Sequence, residues 1–364
     1  MTLILTVLLV ALVFEYINGF HDTANSIATV VATKVLSPRQ AVLLAATTNL
    51  LGALWGTAVA KTIASGLVDA KMVTSQVLIC ALLGAVVWNL ITWWFGLPSS
   101  SSHALVGGLC GSCLAAANNN WGVIVWSLPG KSHWWEGKGV LWKVLVPMVS
   151  SPVTGFVLGF LLMGLLYFLL RHWRPMAVNK LFGKLQLLSS AYMGLSHGSN
   201  DAQKTMGIIA LALMTATGAG VFNELPSWLS FLKTPEPEAG KTLEIAVWIK
   251  VVCAMTMCAG TAAGGWRIIK TLGHKLVKLH PVHGFAAETT SASVLAVAAH
   301  FGMPVSTTHA ITASIMGVGC AKGFNALRLN VVERIIWAWI LTIPASGIAA
   351  YLLVRFARAA GWIP

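Results

Sequence analysis

Residues 196–205 read Ser-His-Gly-Ser-Asn-Asp-Ala-Gln-Lys-Thr and set His197, Asp201 and Lys204 inside a run that is otherwise largely apolar. The flanking segments, 185–195 and 206–213, have the character of a membrane span, so these charges fall where a bilayer interior belongs. An ionisable group at that depth is costly and marks a functional site. The glycine within the polar stretch predicts a broken helix whose unwound backbone faces a cavity rather than lipid. A second stretch of the same kind, Asn18-Gly19-Phe20-His21-Asp22, interrupts the first apolar run.

The bulk composition agrees. Of 364 residues, 57% are hydrophobic and only 10% charged, and the mean hydropathy is +0.77. This is the signature of a polytopic membrane protein, a single transmembrane domain over residues 1–364. The net charge of +13 is spread between apolar segments, without a basic stripe interleaved with aromatics, so it points to membrane lipid and not to nucleic acid. Tryptophans cluster near segment ends (Trp93, Trp94, Trp134, Trp135, Trp337, Trp339), as an interfacial belt would. The only Cys-x-x-Cys, Cys110 to Cys113, lies in an apolar Gly-rich segment with no second ligand pair. No resident metal or cofactor is expected.

In chain order, residues 2–18 lack a basic leader and a cleavage site and read as the first half of a retained span that breaks at 18–22 and resumes to about 34. A span at 41–60 follows. Next come a segment at 76–95, the turn Gly-Leu-Pro-Ser-Ser-Ser-Ser at 96–102, and a short arm at 103–117. That arm is too short to cross, which predicts a re-entrant hairpin with serines at its tip. A long span is expected at 141–170. The second half repeats the plan: a broken span at 185–217, a span at 243–264, a hairpin at 284–301 and 309–320 around Gly-Met-Pro-Val-Ser-Thr-Thr at 302–308, and a last span at 331–357.

The repeat is visible residue by residue. Residues 96–104 (GLPSSSSHA) match 302–310 (GMPVSTTHA) at an offset of 206, and the polar turns align at an offset of 179, Asp22 on Asp201 and Asn25 on Lys204. Three crossings per half make the halves, about 1–170 and 185–357, opposite in orientation, the inverted repeat of secondary transporters. Lys and Arg number 13 on one side and 9 on the other. The richer side is expected in the cytoplasm, which puts both termini outside.

These segments suggest an anion site. Each hairpin tip ends in hydroxyls directly before a helix, where free N–H groups and hydroxyl donors face the same way. Ser100, Ser101 and Ser102 would form one half of the site, and Ser306, Thr307 and Thr308 the other. Lys204 would fix a positive charge and Asn25 an amide at the equivalent place, with Gln203 beside them. Asp22 and Asp201, with His21 and Asn200, would handle a coupling ion or proton. His103, His309 and His197 are further histidines near the tips and turns, where a proton carrier or a backbone partner is equally in keeping. Glu288, near the start of the second hairpin, is a weaker candidate.

Over nearly its whole length the chain resembles the inorganic phosphate transporter (PiT) family, through NGFHDTANSIATVVAT (18–33), GLPSSSSH (96–103), SHGSNDAQK (196–204) and GMPVSTTH (302–309). FHDTAN and NDAQK look most like its bacterial, proton-coupled, low-affinity branch. Sodium-coupled members carry Asn-Asp-x-x-Asn turns in both halves; here His21 and Lys204 replace asparagines, and Asn49 stands where those members often have Glu. The resemblance implies a homodimer in the inner membrane, a transport site at Asp22, Asn25, Asp201 and the tip hydroxyls, and phosphate carried freely or as a neutral metal complex. The expectation is therefore a proton-coupled symporter of inorganic phosphate and not an enzyme. Sulfate or another oxyanion, or sodium coupling, are the nearest alternatives. A membrane hydrolase built on Ser102 and His103 lacks a recognisable third orienting residue.

Overall fold

A computed structural model describes all residues except 66, 70–71, 129–136, 236–242 and 364. Trp134, Trp135, Lys71, Lys131 and Lys241, used above for the interfacial belt and the charge count, lie outside the described residues.

Twelve helices are described. The first half contains α1 (Thr2–Ala32), α2 (Pro38–Ala53), α3 (Ala58–Ser65), α4 (Ser75–Phe95), α5 (Ser101–Ala116) and α6 (Val146–Leu170), the last entered through a wide turn at Leu141–Leu145. The second half contains α7 (Pro175–Gly218), α8 (Val247–Ala263), α9 (Trp266–Lys270), α10 (Pro281–His300), α11 (Thr307–Lys322) and α12 (Leu329–Ala359). Among the described residues, four helical stretches are long and apolar enough to cross a membrane by themselves: Thr2–Ala32, Ser75–Phe95, Leu141–Leu170 and Leu329–Ala359. The bounds of α4 and α5 recur almost to the residue in α10 and α11 at the offset of 206.

The expected breaks in the polar spans are not there. α1 runs unbroken through His21 and Asp22, and α7 continues for 44 residues through His197, Asp201 and Lys204. The chain bends instead in the neighbouring elements, by 69° between α2 and α3 and by 57° between α8 and α9. The glycines taken as hinges serve close approach. A Cβ on Gly198 would stand 2.2 Å from the Asn49 carbonyl oxygen of α2, and one on the equivalent Gly19 would stand 2.5 Å from the Met257 carbonyl oxygen of α8. Removing the side chain lets two backbones touch without unwinding, and beside Gly198 the His197 ring meets Asn49 of α2.

α7 can be polar because lipid never reaches its middle. It packs against α1, α2, α3, α8 and α10, and it is buried almost continuously from Ser196 to Met214. α6 and α12 take the outward positions, with Leu161, Leu165, Phe168, Ile340, Leu352 and Phe356 exposed as lipid-facing side chains. α1 and α7 cross antiparallel. Ser190 Oγ donates to the Ser26 carbonyl at 3.0 Å and Thr33 to Gln186 Oε1 at 2.8 Å, while Glu15, near the middle of α1, meets Thr205 further along α7. One apolar cluster joins Ile4–Ile17 of α1 to the Ala202–Ala216 half of α7, and a second joins the remaining halves through Ala24, Val30, Phe182 and Met193. The polar residues of both helices lie between these two clusters.

The packing is also reciprocal. α1 packs on α8 and α7 on α2; α5 packs on α12 and α11 on α6. Each half thus closes on elements of the other.

Candidate functional site

Both hairpin turns are built alike. Gly96 ends α4 at φ +64° and Gly302 follows α10 at φ +62°, a left-handed conformation that glycine adopts without strain. Ser100 then caps α5, its Oγ accepting from the His103 amide at 3.2 Å, and Ser306 caps α11, accepting from the His309 amide at 3.1 Å. The two serine oxygens are therefore engaged as caps, and the first-turn amides beyond them are the groups left over from the helix ladder. Ser101, Ser102, Thr307 and Thr308 stand on those first turns, all buried.

The tips are met by α1 and α7, each reaching into the other half. Asn25 Nδ2 donates to Thr308 Oγ1 at 2.9 Å and to Thr307 Oγ1 at 3.2 Å. At the equivalent position of α7, Lys204 Nζ donates to Ser102 Oγ, to an Asp201 carboxylate oxygen, and to the Val305 carbonyl at 3.0 Å. Thr307 Oγ1 donates to the other Asp201 oxygen at 2.9 Å. The two reciprocal contacts, Asn25 with Thr308 and Lys204 with Ser102, relate by the same offsets as the sequence repeat. One carries an amide and the other a charge.

The carboxylates are well provided for. Asp22 takes a 2.6 Å contact from His21 Nδ1, whose Nε2 is held by Thr92 at 3.1 Å, with Ser99 behind it. His197 Nε2 lies 3.1 Å from Asp201 Oδ2, within ion-pair reach though off the line of a hydrogen bond. Its Nδ1 faces Asn49 Oδ1 at 3.2 Å, and Asn49 in turn donates to Thr261. Asp22, His197 and Asp201 bring one donor atom each to within 4.8 Å of one another, a set able to hold a cation. Lys204 already supplies a positive charge beside it.

Several buried polar atoms here have no partner among the described residues: Asn25 Oδ1, both amide atoms of Asn200, Ser101 Oγ and Ser26 Oγ. Such orphans are rare in folded proteins, and two of them, Asn25 Oδ1 and Ser101 Oγ, belong to residues at the hairpin tips, where a ligand could satisfy them.

Other expectations differ. Gln203 turns away from the tips. Its Oε1 accepts from the Val59 amide at 2.9 Å and its Nε2 donates to the Ser199 carbonyl at 2.5 Å, so it caps α3 and fixes the elbow after α2. Gln203, Ser196 and Ser199 line a neighbouring cavity of about 470 Å³ between α7, the elbow and α10. His103 and His309 lie edge to face with 4.8 Å between centroids, and His309 stacks on Trp339. Neither ring nitrogen of His103 has a hydrogen-bond partner among the described residues, so it does not hold its hairpin backbone. Glu288 is buried and bonded by Thr29, Ser189 and Gln186. Sequence reasoning passed over Thr92, Ser99 and Glu15. Only the charge of Glu15 in an apolar run signalled it.

Residues 18–350 match the family described as the Phosphate transporter family. The chain belongs to that family. It is 40% identical over 360 residues to a probable low-affinity inorganic phosphate transporter of Bacillus subtilis, covering 97% of this chain and 98% of that one. It is 41% identical to a protein of the same description from Rhizobium meliloti, covering 96% and 95%. Its fold is similar to a solved structure described as the sodium-dependent phosphate transporter, with a TM-score of 0.78, 22% identity, and 99% and 100% of the two chains covered. The phosphate transporter family and the apolar helices together make this a membrane protein.

Proposed function

We propose that this protein carries inorganic phosphate across the cell membrane with protons, by alternating access between two inverted halves. The observation that carries the reading is the reciprocal pair at the tips: Lys204 and Asn25 each reach the other half's hydroxyls, and Asn25 Oδ1 and Ser101 Oγ are left without a partner among the described residues. A tetrahedral oxyanion accepts hydrogen bonds in every direction and suits that ring of donors. Phosphate would take the charge of Lys204 from Asp201, with Ser101, Ser102, Thr307, Thr308 and Asn25 around it. Asp22 and Asp201 would accept from the protonated oxygens and, with His21 and Asn200, respond to the coupling proton.

The antiparallel crossing of α1 and α7 supports the inverted arrangement, and the larger number of Lys and Arg on one side supports an inner-membrane orientation with both termini outside. The Asp22, His197 and Asp201 set supports a second form of the cargo, a neutral complex of phosphate with a divalent metal, whose metal these side chains would meet. An imidazole nitrogen suits such a metal better than sodium, which prefers oxygen, so proton coupling is favoured over sodium coupling.

Labelled phosphate uptake into proteoliposomes tests the reading. Uptake driven by an inward proton gradient, indifferent to sodium and unaffected by excess sulfate, is the expected result. Uptake driven only by sodium would overturn the coupling. Sulfate accumulating in place of phosphate would overturn the substrate.

A further inference from the structure

Resting on proton-coupled phosphate transport as proposed, we infer that Glu15 is a protonation site for the coupling proton, linked to the phosphate site through Thr205. Glu15 is fully buried. It lies seven residues before Asp22 on the continuous α1, about 10 Å along the axis. Thr205, which donates to Glu15 Oε2, follows Lys204 directly on α7 and stands four residues beyond Asp201. Among the described residues no cation lies within ion-pair distance of Glu15, and its other oxygen, Oε1, has no hydrogen-bond partner.

The contrast with the other buried glutamate selects it. Glu288 has donors on both oxygens, from Thr29 and Gln186 on one and Ser189 on the other. Asp22 and Asp201 likewise have basic partners. Glu15 alone among these four carboxyls combines a bare oxygen with no basic partner in ion-pair reach among the described residues, and is free to carry a proton. Among the described residues, the charges that act on it are Asp201 and Lys204 from α7, with the Cys253 thiol of α8 and the Asn18 amide of its own helix also in range, while α4 contributes no acidic, basic or histidine side chain.

That setting gives coupling by linkage. Among the described residues, Lys204 is the one cation whose charge acts on an ionised Glu15. When phosphate arrives it engages the same Lys204 and adds negative charge, so the ionised carboxylate becomes harder to hold and a proton joins Glu15. Phosphate binding and Glu15 protonation therefore reinforce each other, and the reciprocity is thermodynamically required. The proton comes from and returns to water on the two sides as the halves alternate. No bond other than O–H forms or breaks.

The test compares wild type and Glu15→Gln in proteoliposomes by two assays. One is phosphate counterflow with no pH gradient; the other is accumulation driven by an inward proton gradient. Glu15→Gln is expected to keep counterflow and lose accumulation above the no-gradient level, with a flattened pH profile of counterflow. Full gradient-driven accumulation in Glu15→Gln overturns the inference. Wild type that does not respond to the proton gradient overturns the underlying coupling instead. If Glu15→Gln does not yield folded protein, Thr205→Val decides. Loss of the hydroxyl donor to the ionised carboxylate should move the pH midpoint of counterflow upward, and an unmoved midpoint overturns the inference.

Discussion

In the proposed mechanism the deciding residue is Lys204, a buried ammonium held by Asp201, Ser102 and the Val305 carbonyl. An ion pair of this kind is costly to break from one side, on the order of 3–5 kcal/mol, because the remaining charge is left uncompensated. Lys204→Ala is expected to abolish phosphate uptake and also to lower the melting temperature in detergent. Adding Asp201→Asn removes the orphaned charge and should restore the melting temperature while uptake stays absent. Normal-affinity uptake by Lys204→Ala would remove Lys204 from the site. The residue identities at this scale were readable from sequence, because charge inside an apolar run has few bland explanations. Their partners were not. Gln203 sits beside Lys204 in the chain, but adjacent helical positions point about 100° apart, so it turns to the elbow and its neighbour to the tips.

At the scale of elements, the contact between α7 and α2 depends on Gly198 lying against the Asn49 carbonyl. Gly198→Leu would force the two backbones apart. A loss of about 1–3 kcal/mol, the usual range for overpacking a tight contact, is expected in detergent unfolding, together with loss of uptake. Unchanged stability would show that α7 and α2 do not meet there. The same contact explains why sequence reasoning found the helices and turns around each tip and failed with the breaks. Apolar length, a left-handed glycine and a serine cap are local signals, and they placed α4, α5, α10 and α11 within a few residues. A glycine beside polar residues is ambiguous between unwinding and close packing, and only the partner helix resolves it. The first bend falls at residues 54–57, inside the span expected at 41–60, and the second at 264–265, at the end of the span expected at 243–264, where α9 replaces part of the expected loop.

For the whole molecule, the two halves supply non-identical versions of one contact, Asn25 with Thr308 and Lys204 with Ser102. Because the surroundings repeat, the charge should be portable between them. Lys204→Asn alone is expected to be inactive in uptake. Combined with Asn25→Lys, which places an ammonium three residues after Asp22 and against the other tip, it should recover measurable transport. A double variant as inactive as the single one would show that the positive charge must stand in the second half. The reciprocity of α5 on α12 and α11 on α6 has a further consequence, for how the chain is made. α5 emerges from the ribosome long before α12, some 210 residues ahead of its cover. During that interval its buried serines and glycines must be sheltered by lipid, by the insertion machinery or by α4 alone. Synthesis of the first half therefore does not complete a folded unit, and the protein commits to its final arrangement only when its last helix is inserted.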